Sequence, residues 1–171
     1  MSESARTVTM KGAPLALTGT PVKVGDAMPD VTLVSGDLAP VSLSSLKGKV
    51  LVLSAVPSLD TPVCAVQTRR FNQEAAALGD GVRILTISMD LPFAQKRWCG
   101  AEGIDRVTTL SDHRDAAFGK AYGVLLKDLR LLARAVFVVD RAGVVRLVQC
   151  VPEITHEPDY AAVLDAVKKL L

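Results

Sequence analysis

The chain has 171 residues, 49% of them hydrophobic, enough for one ordinary domain with a substantial core and short for two. Its 20 basic and 18 acidic residues are scattered, leaving a formal charge of +2 and no basic stripe of the kind that tracks nucleic acid. No run is long enough to span a bilayer without charges and Met1 to Thr20 holds no signal-like apolar segment, so the expectation is a cytoplasmic protein with no membrane partner.

Thr7 to Met10 and Pro14 to Leu17, separated by Lys11-Gly12-Ala13, alternate loosely and predict an N-terminal β-hairpin. An extended linker over Pro21 to Pro29 follows, so residues 1 to about 29 stand as hairpin and linker within a single domain spanning 1–171. Next come a short strand at Val31 to Val34, a turn at Ser35-Gly36-Asp37 and a small helix near Leu43 to Lys47. Val50 to Val56 is a continuous apolar run, the pattern of a central strand covered on both faces. From Pro62 to Leu78 a helix is expected, with Val63, Val66, Phe71, Ala75 and Leu78 on its apolar stripe and Gln67, Arg69, Arg70 and Gln73 off it.

A second buried strand is expected at Val82 to Met89, a helix at Phe93 to Ala101 and a third strand at Val107 to Leu110. Asp115 to Tyr122 should be helical and stop at Gly123. Ala135 to Val139 and Val144 to Val151 flank an Asp-Arg-Ala-Gly turn and read as a hairpin, and Asp159 to Leu171 closes the chain as an amphipathic helix. This order describes an α/β fold with a mixed central sheet flanked by helices, compatible with a thioredoxin-like arrangement.

The chemistry concentrates in Pro57-Ser58-Leu59-Asp60-Thr61-Pro62-Val63-Cys64. Thr61 suits an N-cap and Pro62 the first helical position, which sets Cys64 among backbone N–H groups that lack intrahelical partners. Thiolate is the nucleophilic form of cysteine, and helix N-termini or nearby cations lower a thiol pKa from about 8.5 into a range of about 3.5 to 7.5. Three cysteines are too few, and odd in number, for a secreted disulfide scaffold; in a reducing compartment their chemistry should cycle.

Pro57, Thr61 and Cys64 match the P-x-x-x-T-x-x-C motif of the peroxiredoxins. The longer string PSLDTPVCAVQTRRFN, the helix cysteine Cys99, the ARAVFVVD segment and EITHEPDY make the chain resemble the atypical two-cysteine, thiol peroxidase branch of that family over almost its whole length. The resemblance implies a peroxidase that reduces hydrogen peroxide and organic hydroperoxides. Cys64 would be the peroxidatic cysteine and Cys99 the resolving one, joined in a Cys64–Cys99 intramolecular disulfide. Arg134 would be the cation beside the thiolate, with Thr61 and Pro57 completing the pocket. It further implies a homodimer recycled by thioredoxin and no metal or organic cofactor.

Each residue also has a plainer reading. Cys64 alone could be a small core residue, Cys99 packing beside Trp98, and Arg134 a solvated charge in the basic segment Lys127 to Arg134. Cys150, alternating within an apolar strand, reads as core, with a backup resolving thiol or an intermolecular bridge as alternatives, His113 as cap or decoration of the following helix, and His156 as part of a structural or interfacial loop. A zinc site drawn from the three cysteines and two histidines would need a C-x-x-C or a histidine pair at ligand spacing, which the sequence lacks. Two rival functions remain: a thiol-disulfide oxidoreductase, against which Cys64-Ala65-Val66-Gln67 counts because it is no C-x-x-C, and a redox-sensing interaction protein, which turnover would separate from an enzyme.

Overall fold

A computed structural model describes residues 6–171; the first five residues of the expected N-terminal region lie outside it. The apolar run after the linker becomes β5, Val50–Ala55, every residue of which is buried. It lies inside a seven-stranded sheet of order β11-β10-β5-β6-β7-β3-β4. The outer members are β3 (Thr32–Val34), β4 (Pro40–Ser42) and, on the other side, β10 (Ala135–Val139) and β11 (Val145–Cys150). β5, β6 (Val82–Ser88) and β7 (Val107–Ser111) run parallel, with Val52 opposite Ile84, while β10 pairs antiparallel to β5 with Phe137 opposite Leu53. Parallel neighbours require crossovers. These are α1 (Pro62–Leu78) between β5 and β6, and α2 (Pro92–Glu102) between β6 and β7.

The alternation of β5 sorts the core into two layers. Val50 and Val52 face Phe71 of α1 and Val163 and Val167 of α4 (Tyr160–Lys168). Leu51, Leu53 and Ala55 share the opposite layer with Phe118 and Tyr122 of α3 (Ala117–Tyr122). That second layer also holds Leu125, Leu126 and Leu132 from a separate four-stranded sheet of order β1-β2-β8-β9. The expected hairpin, β1 (Thr7–Met10) and β2 (Ala13–Thr18), forms half of this sheet, and β8 (Leu125–Leu126) and β9 (Leu131–Leu132) form the rest. Strands of two residues carry no readable period, so β8 and β9 leave no trace in the sequence pattern.

Three expectations change. The helix expected from Asp115 begins at Ala117, because the Asp112 carboxylate accepts the Phe118 and Gly119 N–H groups at 3.0 and 2.9 Å and holds the intervening residues in a turn. Burial pushes the Asp112 carboxyl above the usual carboxylate range. The apolar stripe of α1 is rotated from the expected one: Cys64, Gln67, Thr68 and Phe71 are buried, whereas Val66 is 41% exposed. Cys150 is exposed rather than core, ending the edge strand β11. The stop after α3 falls where expected, at Gly123, whose φ is +70° and where a Cβ would stand 2.8 Å from Pro21. No helix among the described residues is long and apolar enough to cross a membrane.

Candidate active site

The loop after β5 brings Cys64 to the first turn of α1, with Pro62 at its start. Thr61 occupies the N-cap position in extended conformation, but its side chain does not cap the helix. Its hydroxyl donates instead to the Ser58 carbonyl at 2.9 Å, closing the loop on itself. Asp90 pins the same loop from β6's side, accepting from the Ser58 hydroxyl at 2.7 Å and from the Leu59 N–H at 2.9 Å. Pro57 is buried beneath.

The Cys64 side chain is fully buried, enclosed on one side by Val56, Leu59 and Trp98. On the other side Arg134, from the segment between β9 and β10, donates through Nη2 to Cys64 Sγ at 3.3 Å. Arg134 is itself only 2% exposed. Its Nε donates to the Ile154 carbonyl at 2.9 Å and its Nη1 to Gln67 Oε1 at 2.8 Å. Among the described ion pairs none involves Arg134, so this buried guanidinium faces a carbonyl, an amide and a sulfur, with no carboxylate. A buried cation without a counter-charge is expensive, and the hydrogen bonds to Ile154, Gln67 and Cys64 are what this guanidinium has in place of one.

Polarity alone sets Gln67 off the buried stripe, yet it lies three residues after Cys64 on the same helical face. Its Nε2 donates to Ser54 Oγ at 2.7 Å, so each end of the amide is satisfied and the oxygen is committed to Arg134. The readable signal is its position at i+3 from the cysteine. A cavity of about 330 Å³ opens beside this group, walled by Met10, Pro57, Thr61, Val63, Arg134 and Ile154 among others. Thus Pro57, Thr61, Cys64 and Arg134 come together.

Cys99 stands apart. It lies late in α2, half-buried, with Sγ directed to Thr109 Oγ1 at 3.8 Å, and burial pushes its thiol above the ordinary range. Its neighbour Trp98 packs on the Cys64 cluster, so the two cysteine-bearing helices touch although neither thiol is in a disulfide. His113 has its N–H bound to Ser111 Oγ, and His156 lines a shallow depression with Val66 and Glu157. Among the described residues no group of three or more His, Cys, Asp or Glu is arranged to hold a metal ion.

The redoxin family profile matches residues 23–164. A thiol peroxidase of Bacillus subtilis (strain 168) is 56% identical over 164 residues, covering 96% of this chain and 98% of the relative. A thiol peroxidase of Oceanobacillus iheyensis is 59% identical over 162 residues, covering 95% and 98%. In three dimensions the chain is similar to a peroxiredoxin-like protein from Aquifex aeolicus, with a TM-score of 0.91, 47% identity and 98% of both chains covered. The fold is shared with a thiol peroxidase from Chromobacterium violaceum, TM-score 0.86 at 21% identity over 95% of each chain. With a thioredoxin-like α/β core of this topology and relatives of this closeness, the chain belongs to the redoxin family, in its thiol peroxidase branch.

Proposed function

We propose that this chain is a thiol-dependent peroxidase that reduces hydrogen peroxide and organic hydroperoxides through Cys64. The observation that carries the proposal is the buried Arg134 guanidinium, whose Nη2 donates to Cys64 Sγ, unopposed by any described carboxylate. Arginine stays protonated and presents planar donors, so it favours sulfur as the anionic nucleophile. A hydroperoxide entering the adjacent cavity lies against Thr61 and against Arg134, whose Nη2 holds that sulfur. Sulfur attacks the oxygen that bears hydrogen, the O–O bond breaks, and the electron pair leaves with the other oxygen, which takes up a proton from water and departs as water or alcohol. Sulfur is thereby oxidised by two electrons to a sulfenic acid.

Charge moves from sulfur to the departing oxygen, and the Arg134 fork can follow it. The Thr61 proton is spent on the Ser58 carbonyl, which leaves the hydroxyl lone pairs to accept from the hydroperoxide O–H. Pro57 presents no N–H and walls the pocket. The Cys99 thiol then displaces water from the Cys64 sulfenic acid, forming the disulfide, and a dithiol protein of the thioredoxin kind reduces it by exchange. Because Cys64 Sγ faces Arg134 and Cys99 Sγ faces Thr109, disulfide formation requires both segments to open locally. The single-domain chain would act as a homodimer in the cytoplasm, as its resemblance to the thiol peroxidases implies.

Mass spectrometry after one equivalent of hydrogen peroxide tests the scheme. The expected product is a Cys64–Cys99 disulfide. Cys64→Ser should abolish peroxide consumption, and sustained turnover with thioredoxin and its reductase should distinguish an enzyme from a stoichiometric sensor. A Cys64→Ser protein that still consumes peroxide ends the proposal.

A further inference from the structure

One carboxylate outside the Cys64 pocket gathers more hydrogen bonds than its place in a loop requires. Glu153 Oε1 accepts from Thr9 Oγ1 at 3.0 Å and from the Gly12 N–H at 2.9 Å, both in the β1–β2 hairpin. Its Oε2 accepts from the Thr155 N–H at 2.9 Å and the Thr155 hydroxyl at 2.6 Å. Backbone bonds reinforce the junction: Thr9 N–H donates to the Pro152 carbonyl at 2.7 Å, and Ile154 N–H to the Thr9 carbonyl at 2.9 Å. The same segment presents the Ile154 carbonyl that receives Arg134 Nε, and Met10, Ile154 and Thr155 all wall the cavity.

We infer that Glu153 is a positioning residue for the peroxide site, clamping the hairpin to residues 154–155 so that the Ile154 carbonyl aims the Arg134 fork at Cys64. This rests on the peroxidase reading of the Cys64 pocket. Donors from Thr155 and Gly12 hold the carboxyl well below the usual carboxylate range, so the clamp is charged throughout the neutral range. The second sheet thereby acquires a role in the chemistry, because its hairpin forms one wall of the reaction cavity and is held there by a side chain from the far end of the chain.

The inference is tested by a double-mutant cycle on the rate of Cys64 oxidation by hydrogen peroxide, followed by the fluorescence of Trp98, the chain's single tryptophan, which packs against the cluster of Val56, Leu59 and Cys64. Glu153→Ala should slow oxidation about tenfold when Arg134 is present and less than about twofold in an Arg134→Ala background. Glu153→Gln, which keeps one acceptor oxygen, should fall between. Equal slowing in both backgrounds, or none in either, overturns the inference. Should Glu153→Ala fail to fold, Glu153→Gln and Thr9→Val complete the same cycle. Failure of the underlying reading looks different: Arg134→Ala alone would then oxidise at the wild-type rate.

Discussion

Arg134 Nη2 lies 3.3 Å from Cys64 Sγ, a contact between residues 70 positions apart in which neither partner reaches solvent to any useful extent. Local sequence can place a cysteine at a helix start; only the sheet, by setting the end of β9 against the start of α1, delivers the cation. Arg134→Ala should reduce the second-order rate of Cys64 oxidation by about 10²-fold, the scale seen when one preorganised donor to developing charge is removed. Arg134→Lys should recover part of the rate, since a point charge replaces the fork. Stopped-flow traces check both, and an Arg134→Ala protein that oxidises at the parent rate refutes the role.

Thr61 donates its proton to the Ser58 carbonyl and so offers only lone pairs to the cavity. Thr61→Val keeps shape and removes that acceptor, and oxidation should slow by about 10²-fold, while Thr61→Ser should stay within about tenfold of the parent. Thermal melts should place Thr61→Val below Thr61→Ser by about 1 kcal/mol, the bond to the Ser58 carbonyl that only serine keeps. A Thr61→Val protein with normal kinetics would remove the hydroxyl from the mechanism.

Gln67 joins Ser54 to Arg134, and its burial depends on both partners. Gln67→Leu strands a guanidinium N–H and the Ser54 hydroxyl in the interior, so urea unfolding should show a loss of about 2–3 kcal/mol. The peroxide rate should fall as well, because Nη1 loses the acceptor that fixes the fork. Gln67→Glu instead supplies a buried carboxylate to Arg134, a competing anion, and should slow oxidation of Cys64 while leaving stability closer to wild type.

The same residue marks the limit of what local sequence encodes. The P-x-x-x-T-x-x-C string and the run Val50–Ala55 are local and strong, and the helix after them has the expected bounds. A buried glutamine looks solvent-facing until its partners are known, so polarity alone rotates the α1 stripe away from its true face. Alternation suggests core for Cys150, but it is the last residue of the edge strand β11 and its side chain is exposed. Arg134 stands out only through family resemblance, since nothing in its flanking residues marks it from Arg130. Glu153 gives no signal, because its four donors come from two segments far apart in the chain.

Cys99 is buried enough that its thiol sits above the ordinary range, with the Thr109 contact opposing the shift only in part. The sign matters: a raised thiol pKa means less thiolate at neutral pH than an exposed cysteine has, and reactivity that appears only at higher pH than an exposed cysteine needs. Both folded and unfolded chains carry the protonated thiol near neutral pH, so the shift shows in reactivity and not in stability there. In a Cys64→Ser, Cys150→Ser background, iodoacetamide should therefore modify Cys99 about tenfold more slowly at neutral pH in the folded protein than in urea, with the gap narrowing as pH rises. Oxidising Cys64 in a Cys150→Ser protein and trapping the disulfide on a quench series should show the sulfenic acid first and the bridge later, the delay reporting the opening of α2. Cys99→Ser should stop at the sulfenic acid. Fast alkylation of Cys99 at neutral pH, or a bridge that forms without a resolvable delay, would mean that this thiol is already free to resolve and that no opening step precedes it.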